Sequence, residues 1–250
     1  MPNRENNDWD PGNNWWNPDG NKRLGYPWGD IEHPLPPPEC TAGFGMGRAR
    51  GYAEAWFERL VGTIIEATAT APCCICPEWL LAILWDEIAR RRRDPNTGMD
   101  EEQGHDDYWK GWNPSVGSFQ ITPETARDAI RWGGVFTTDD RNLNDEELYD
   151  RLTNDAGFAA RVAAVRLCQI LAGYINAGYN PCAEGSISVI ELAGSLYSRG
   201  LGRPKANPEV NERGKQIADF AEQIKRKLNL PDCDVCENGK LKSGCLPRPR

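Results

Sequence analysis

Two adjacent carboxylates, Asp86 and Glu87, lie inside an apolar stretch whose spacing predicts a helix over residues 77–93. At about 100° per residue, Glu87 falls in the middle of an apolar face formed by Leu80, Ile83, Leu84 and Ile88. Asp86 falls on the opposite side, where Arg90 can pair with it one turn on. We therefore expect Asp86 to be a solvated surface acid. Glu87 is predicted to face the core or a cleft floored by it.

The predicted position of Glu87 suits a proton donor. A carboxylate near apolar walls loses hydration, and its pKa rises. A carboxyl group that keeps its proton near neutral pH can act as a general acid towards a glycosidic oxygen. A structural ion pair of Glu87 with Arg91, one turn on, is the alternative that the helix by itself leaves open.

A second stretch with chemical potential runs from Gly117 to Ala126 and reads Gly-Ser-Phe-Gln-Ile-Thr-Pro-Glu-Thr-Ala. Thr122 suits an N-cap and Pro123 suits the first position of a helix. This helix is predicted to end near Trp132, before two glycines.

Between the two stretches lies an acidic loop, Asp94 to Trp112. It is interpreted either as a solvated acidic segment or as the source of a second acid, Asp106 or Asp107, that positions a water across a cleft from Glu87. Aromatic residues in the loop could stack on sugar rings, namely Tyr108, Trp109 and Trp112.

The remaining pattern is mainly helical. Helical spacing predicts further helices over residues 48–70, 144–152, 158–174, 188–197 and 208–228. No stretch alternates convincingly as a strand. Residues 1–47, rich in Trp, Pro and Gly, are predicted to be an extended arm. Residues 48–230 form the predicted catalytic domain, and residues 231–250 a cysteine-containing tail that we expect to be mobile.

Length and charge limit the possible functions. A chain of 250 residues suits one large domain with extensions, and its net charge of −8 argues against nucleic acid as a partner. No run approaches about 18 uninterrupted apolar residues, so we expect no membrane span. Residues 1–7 are polar and do not resemble a secretory signal. Delivery by a specialised secretion system or a particle is therefore expected.

The nine cysteines leave three interpretations open. So many cysteines suit disulfides in an oxidising compartment, and an odd count leaves at least one unpaired within the chain. Cys233 and Cys236, with Cys245, could instead begin a zinc site whose fourth ligand comes from elsewhere, such as Cys40 or His33. Plain thiols are the third interpretation.

Three motifs, taken in order, resemble the lytic transglycosylase and goose-type lysozyme superfamily. A helix that supplies a catalytic Glu is matched by residues 83–87. The family's glycine-glutamine motif is matched by residues 117–126, and a later helix carrying a Tyr is matched by residues 191–200. A closing helix is matched by residues 207–224. The resemblance covers roughly residues 77–228.

The resemblance implies a lysozyme-like fold and a role for each matched residue. Glu87 is the general acid, and Gly117 lets the backbone approach the sugar. Phe119 and Gln120 line the cleft near the scissile bond, and Tyr197 reaches towards Glu87 and the substrate. No metal and no cofactor are implied.

The chain also departs from the family pattern. Ile88 stands where the family usually has Ser after its Glu, and Ser118-Phe119 replaces Leu-Met. The additional acids of goose-type enzymes have no counterpart, because their places are occupied by Gly111 and Thr122. With one carboxylate, the sugar's own hydroxyl attacks and gives an anhydro product. With a second acid, water attacks and gives a hydrolysed product of inverted configuration.

The expected function is cleavage of the β-1,4 bond between N-acetylmuramic acid and N-acetylglucosamine in peptidoglycan strands, as an antibacterial effector or a phage-like lytic component. The expected site of action is the bacterial cell wall, and an effector would need a cognate immunity protein in the producing cell. Two alternatives are a chitinase or chitosanase on the same scaffold, and a non-catalytic glycan-binding or structural module with a degenerate site.

Overall fold

The architecture is taken from a computed structural model that describes residues 50–90, 115–117, 119–197 and 202–245, with side chains in the first range from residue 60 to 87. Within these ranges the fold is mainly helical. The helices are α1 (Arg50–Ala69), α2 (Pro77–Arg90), α3 (Pro123–Trp132), α4 (Thr138–Asn142), α5 (Asp145–Asn154), α6 (Ala156–Asn176), α7 (Val189–Tyr197) and α8 (Glu212–Leu228). A two-stranded antiparallel hairpin follows, β1 (Cys236–Glu237) and β2 (Lys240–Leu241), and then a 3₁₀ turn (Ser243–Cys245).

Helix α2 is central rather than amphipathic. Every residue from Leu80 to Glu87 is buried, including the large side chain of Trp85. The reason is that α2 packs against α1, α6 and α8, so neighbours cover it on several sides. A helix enclosed in this way is expected to be apolar all round, and its three buried acids, Glu78, Asp86 and Glu87, are the exceptions.

Helix α6 forms the other half of the core and packs against α1, α3, α5 and α7. Its 21 residues and mean hydropathy of 1.4 would allow it to cross a membrane by length and composition alone. However, 78% of the most apolar window is buried inside the protein. Because a buried core helix has the same composition as a spanning one, the core position accounts for these properties.

Helices α3 and α5 begin at the caps that the sequence predicted. The side-chain oxygen of Thr122 accepts from the backbone of Thr125, and Pro123 opens α3. Asn144 caps α5. Helix α8 begins at Glu212 rather than Pro208, because Asn211 supplies the cap.

Helix α4 was not predicted. A capping box formed by Thr137 and Asp140 begins this short helix, and both halves of the box are made. A Thr followed three residues later by an acid was its only sequence signal.

Four disulfides join the described part of the chain. They are Cys73–Cys168, Cys74–Cys245, Cys76–Cys233 and Cys182–Cys236. The expectation of a mobile tail is wrong for residues 232–245, since three disulfides attach that segment to the helical domain. Val235 also packs with Cys76 and Cys245 in a second, smaller apolar cluster. The zinc interpretation of the tail fails because Cys233, Cys236 and Cys245 are all paired.

Candidate functional site

Glu87 and its neighbour Asp86 meet a single arginine, Arg213, from the first turn of α8. The Nη2 group of Arg213 donates to Glu87 Oε1 at 2.6 Å, and its Nε donates to Asp86 Oδ2, also at 2.6 Å. Glu87 is only 8% exposed. The burial predicted for Glu87 is confirmed, and a buried ion-pair cluster surrounds it.

The prediction for Asp86 is wrong. Asp86 is 2% exposed rather than solvated, and it pairs with Arg213. The helical period places Asp86 opposite the apolar face, but α8 covers that side of α2 as well. Burial by itself lowers the pKa of Arg213, but the carboxylates of Asp86 and Glu87 raise it by more. The pKa of Arg213 therefore lies above its ordinary value. Arg213 is therefore a permanent cation in this cluster.

The close packing of α7 against α8 positions Arg213 and Tyr197. Gly214 follows Arg213 directly, and a Cβ there would overlap the hydroxyl oxygen of Ser195 and the backbone carbonyl of Glu191. The hydroxyl of Ser195 also accepts from the backbone N–H of Asn211, the N-cap of α8. A glycine at position 214 thus allows the two helices to approach until their side chains share one site.

An isolated antiparallel bridge joins Val116 and Ile121, with backbone hydrogen bonds of 3.0 and 3.1 Å, and Gly117, Phe119 and Gln120 lie in the turn that it closes. Gln120 has a φ of +49°, which is unusual for a residue other than glycine. Its side-chain Nε2 donates to the Gly117 carbonyl at 2.9 Å. The left-handed backbone of Gln120 is a local cost of the kind that clusters at functional sites.

Gly117 has a structural reason to be glycine. Its φ is +70°, and a Cβ would overlap the Leu152 carbonyl oxygen at the end of α5. The close approach is thus between the turn and α5. A role of Gly117 towards sugar stays a prediction.

The cleft role predicted for the Phe119 ring is wrong, because the side chain is 1% exposed and belongs to the main core. Only its backbone carbonyl reaches the site, where it accepts the Tyr197 hydroxyl at 3.1 Å. Burial, followed by the nearby Glu87 carboxylate, raises the pKa of Tyr197 well above its ordinary value. The hydroxyl therefore stays protonated and acts as a donor.

Arg166, on α6, brings a second buried cation to this region. It interacts electrostatically with Tyr197 and is 8% exposed. Its Nη1 donates to Gln169 at 3.3 Å, whereas its Nε has no hydrogen-bond partner among the described residues. Burial lowers the pKa of Arg166 below its ordinary value, with smaller opposing contributions from Tyr197 and Asp128.

The described residues therefore bring together Glu87, Tyr197 and the turn that carries Gln120. The described ranges contain no group of three or more potential metal-ligating side chains. Several predicted features lie outside the described residues: the arm at 1–47, the acidic loop with Asp106 and Asp107, and the loop aromatics.

Sequence reasoning missed Arg213 and Arg166. Arg213 lies on the predicted last helix, and Arg166 lies within the apolar run of α6. An arginine inside such a run was the one available signal, because a charge buried in a core helix needs a partner.

Comparison of the chain with protein-family models, with curated proteins and with solved structures gives no match.

Proposed function

We propose that the protein is a glycosidase that cleaves peptidoglycan between N-acetylmuramic acid and N-acetylglucosamine, with Glu87 as the proton donor. The observation that carries the proposal is the convergence of three segments distant in sequence. Tyr197, at the end of α7, interacts electrostatically with buried Glu87 on α2 and donates to the carbonyl of Phe119, which precedes the left-handed Gln120. These are the residues that the resemblance assigns to the reacting centre.

In the proposed reaction, protonated Glu87 gives its proton to the glycosidic oxygen while the bond from that oxygen to the anomeric carbon breaks. The resulting Glu87 carboxylate faces a cationic sugar. It then takes a proton from the group that attacks the anomeric carbon, either a hydroxyl of the same sugar or a water. Each cycle restores the protonated acid, so no external proton donor is consumed when the sugar's own hydroxyl attacks.

Arg213 gives this reaction a specific pH dependence. A guanidinium hydrogen-bonded to a carboxylate favours its ionised form, whereas the first step needs the protonated form. Asp86 opposes Arg213, because a second negative charge next to Glu87 favours protonation. Arg213 and Asp86 thus act on the protonation of Glu87 in opposite directions, and we expect the rate of cleavage to depend on pH.

A non-catalytic module is the second candidate, and one observation favours it. The pairing of Arg213 with both acids would also stabilise α8 against α2 in a protein without chemistry. Breaking a buried pair by removing one partner costs about 3–5 kcal/mol. The same contacts are therefore consistent with a structural role. Only a measurement of catalytic activity distinguishes a glycosidase from a non-catalytic module.

The test is product analysis by mass spectrometry on three polymers: purified peptidoglycan, chitin and chitosan. Soluble fragments from peptidoglycan alone are expected. Anhydro ends would identify internal attack by the sugar, and reducing ends would identify attack by water. Release from chitin or chitosan instead would replace the proposed substrate, and no release from any polymer would favour the non-catalytic module.

A further inference from the structure

Ser195 carries a buried hydroxyl that joins two helices. It lies inside α7 and is only 3% exposed. Its oxygen accepts a hydrogen bond of 3.0 Å from the backbone N–H of Asn211, sixteen residues further along the chain. A serine within a helix more often turns its hydroxyl to nearby backbone of the same helix or to solvent. The bond from Asn211 therefore ties α7 to the start of α8.

The first turn of α8 supplies only half of its own cap. Asn211 is the N-cap residue, and its side-chain Oδ1 accepts from the Gly214 N–H at 2.9 Å. In a capping box, an acid at the position of Gly214 would accept the N–H of the N-cap residue in return. Glycine has no side chain that could do so. The acceptor for the Asn211 N–H comes instead from α7, as the hydroxyl of Ser195.

Two other helices show the complete arrangement. Asp140 accepts the N–H of Thr137, the N-cap residue of α4, and Glu147 accepts that of Asn144, the N-cap residue of α5. Each of these boxes is made by a cap and the helix that it begins. In α8 the corresponding bond crosses to a neighbouring helix. The cap of α8 therefore also fixes where this helix begins relative to α7.

Arg213 lies inside the turn that Ser195 holds. Its guanidinium extends to α2, where it donates to Asp86 and to Glu87 at 2.6 Å each. A Cβ at position 214 would overlap the Ser195 hydroxyl, so the turn and the hydroxyl are in direct contact. The backbone that carries Arg213 to the two acids is thus held from α7 by one side-chain oxygen.

We propose that Ser195 is a positioning residue for the reaction: it completes the cap of α8 from α7 and so holds Arg213 in register with Glu87. The inference rests on the proposed glycosidase function and adds to it a residue that acts through Arg213. The hydrogen bond from Arg213 orients the carboxyl group of Glu87. Misplacement of a reacting group by about 1 Å can cost on the order of a hundredfold in rate.

Ser188 provides a matched control. It precedes α7, and its hydroxyl accepts the Glu191 N–H at 3.2 Å while the Glu191 carboxylate accepts the Ser188 N–H at 2.8 Å. Both serines thus belong to caps, and each hydroxyl accepts one backbone N–H. Only Ser195 accepts from α8. Loss of either hydroxyl should lower stability, and only loss of the Ser195 hydroxyl should act on Arg213.

The first experiment compares the full-length, disulfide-bonded wild-type protein with Ser195→Ala and Ser188→Ala. NMR measures hydrogen exchange of the Arg213 Nε–H, which donates to Asp86. Ser195→Ala should speed this exchange about tenfold, the scale of one unpaired buried donor. Ser188→Ala should leave it unchanged. Unchanged exchange in Ser195→Ala, or equal acceleration in both variants, would overturn the assignment.

The rate of fragment release from peptidoglycan gives the kinetic readout for the same three proteins. Ser195→Ala should lower kcat about tenfold and leave KM unchanged, because the orientation of Glu87 affects the chemical step rather than binding. Ser188→Ala should change neither constant. A rise in KM alone, or an equal loss of kcat in both variants, would contradict a positioning role.

Should Ser195→Ala fail to fold, hydrogen exchange in the wild-type protein decides. The Asn211 N–H and the Arg213 Nε–H should show equal protection after correction for their intrinsic exchange rates, because one opening of the first turn of α8 exposes both. Clearly different protection of the two groups would mean that Arg213 is held independently of the cap, and the assignment would fail.

Failure of the proposed function gives a different pattern. If Ser195→Ala speeds the exchange of Arg213 while the wild-type protein releases no fragments, the glycosidase is contradicted and the hold of Ser195 on Arg213 is kept. If the wild-type protein releases fragments and Ser195→Ala has the same kcat, the positioning role is contradicted and the glycosidase is kept.

Discussion

Arg213 and Asp86 act on the protonation of Glu87 in opposite directions, so their roles can be tested by changing one charge at a time. The cation favours ionised Glu87, and Asp86 favours protonated Glu87. Arg213→Gln should move the alkaline limb of the pH–activity profile to higher pH, and Asp86→Asn should move it to lower pH.

The measurement is the rate of fragment release from peptidoglycan between acid and alkaline pH. Both variants keep a polar side chain, and the amide oxygen of Asp86→Asn can still accept from Arg213. A constant loss of activity at every pH, without movement of either limb, would show that the cluster acts only in packing.

Glu78 is a buried acid at the other end of α2, about 13 Å from Glu87 along the helix axis. Burial raises the pKa of Glu78 above its ordinary value of 4.5, despite a backbone hydrogen bond and Lys225, and one carboxylate oxygen has no partner among the described residues. A raised folded-state pKa means that the stabilising contribution is complete below about pH 4.5 and is lost as pH rises.

Glu78→Gln should therefore raise the melting temperature at pH 8 and leave it unchanged at pH 4. Thermal unfolding at the two pH values checks this, with Glu66→Gln, an exposed acid on α1, as the control. A stabilisation of equal size at both pH values would contradict the role of desolvation.

The packing of α7 against α8 depends on Gly214, which has no side chain. A Cβ at position 214 would overlap both Ser195 and the Glu191 backbone. Gly214→Ala should therefore separate the two helices and destabilise the protein by about 1–3 kcal/mol, while lowering activity because Arg213 and Tyr197 move with them.

Gly62→Ala on α1 is the matched control. That glycine has open space around its Cα, so alanine should stabilise the helix by about 0.5–1 kcal/mol. Denaturant unfolding of both variants measures the difference. A Gly214→Ala protein as stable as Gly62→Ala would mean that the two helices repack freely.

The helices were largely predictable because each carries its own signals. The cap at Thr122 and the apolar spacing of α8, with Ile217, Phe220 and Ile224 buried, depend on neighbours in sequence. The burial of Asp86 was not predictable in this way. The helical period predicts which face of α2 packs against a core. It carries no information about α8, which covers the opposite face of α2.

The site itself was predictable only in part, for the same physical reason. Glu87, Gln120 and Tyr197 stand in motifs, and Tyr197 interacts with Glu87 and with the carbonyl of Phe119, next to Gln120. Arg213 and Arg166 reach the site through packing between helices far apart in sequence, where no spacing rule applies. The buried ring of Phe119 also follows from packing, since the turn directs its carbonyl rather than its side chain to the site.

The whole molecule depends on its disulfides, because three bridges begin in the short segment before α2. Cys73 forms a disulfide with Cys168 on α6. Cys74 and Cys76 form disulfides with Cys245 and Cys233 in the tail. A disulfide typically contributes about 2–4 kcal/mol, and these three anchor the start of the helix that carries Glu87. The protein is therefore expected to be fully active only under oxidising conditions, which suits action at the cell wall.

Reduction with a phosphine should lower the melting temperature strongly and abolish fragment release. The double variant Cys74→Ser and Cys245→Ser should lose only one of the three bridges to the tail and show a smaller decrease. Calorimetry with parallel activity assays checks both. Full activity of the reduced protein would contradict a stabilising role for the bridges.

The most direct measurement for the central claim compares fragment release from purified peptidoglycan by the wild-type protein, Glu87→Gln and Glu78→Gln. All three can be matched for folding and disulfide content, and both variants replace a buried acid on the same helix. The wild-type protein and Glu78→Gln should release fragments at similar rates, and Glu87→Gln should release at least about a hundredfold less. Equal release by Glu87→Gln, or none by the wild-type protein, would contradict the assignment of Glu87 as the proton donor.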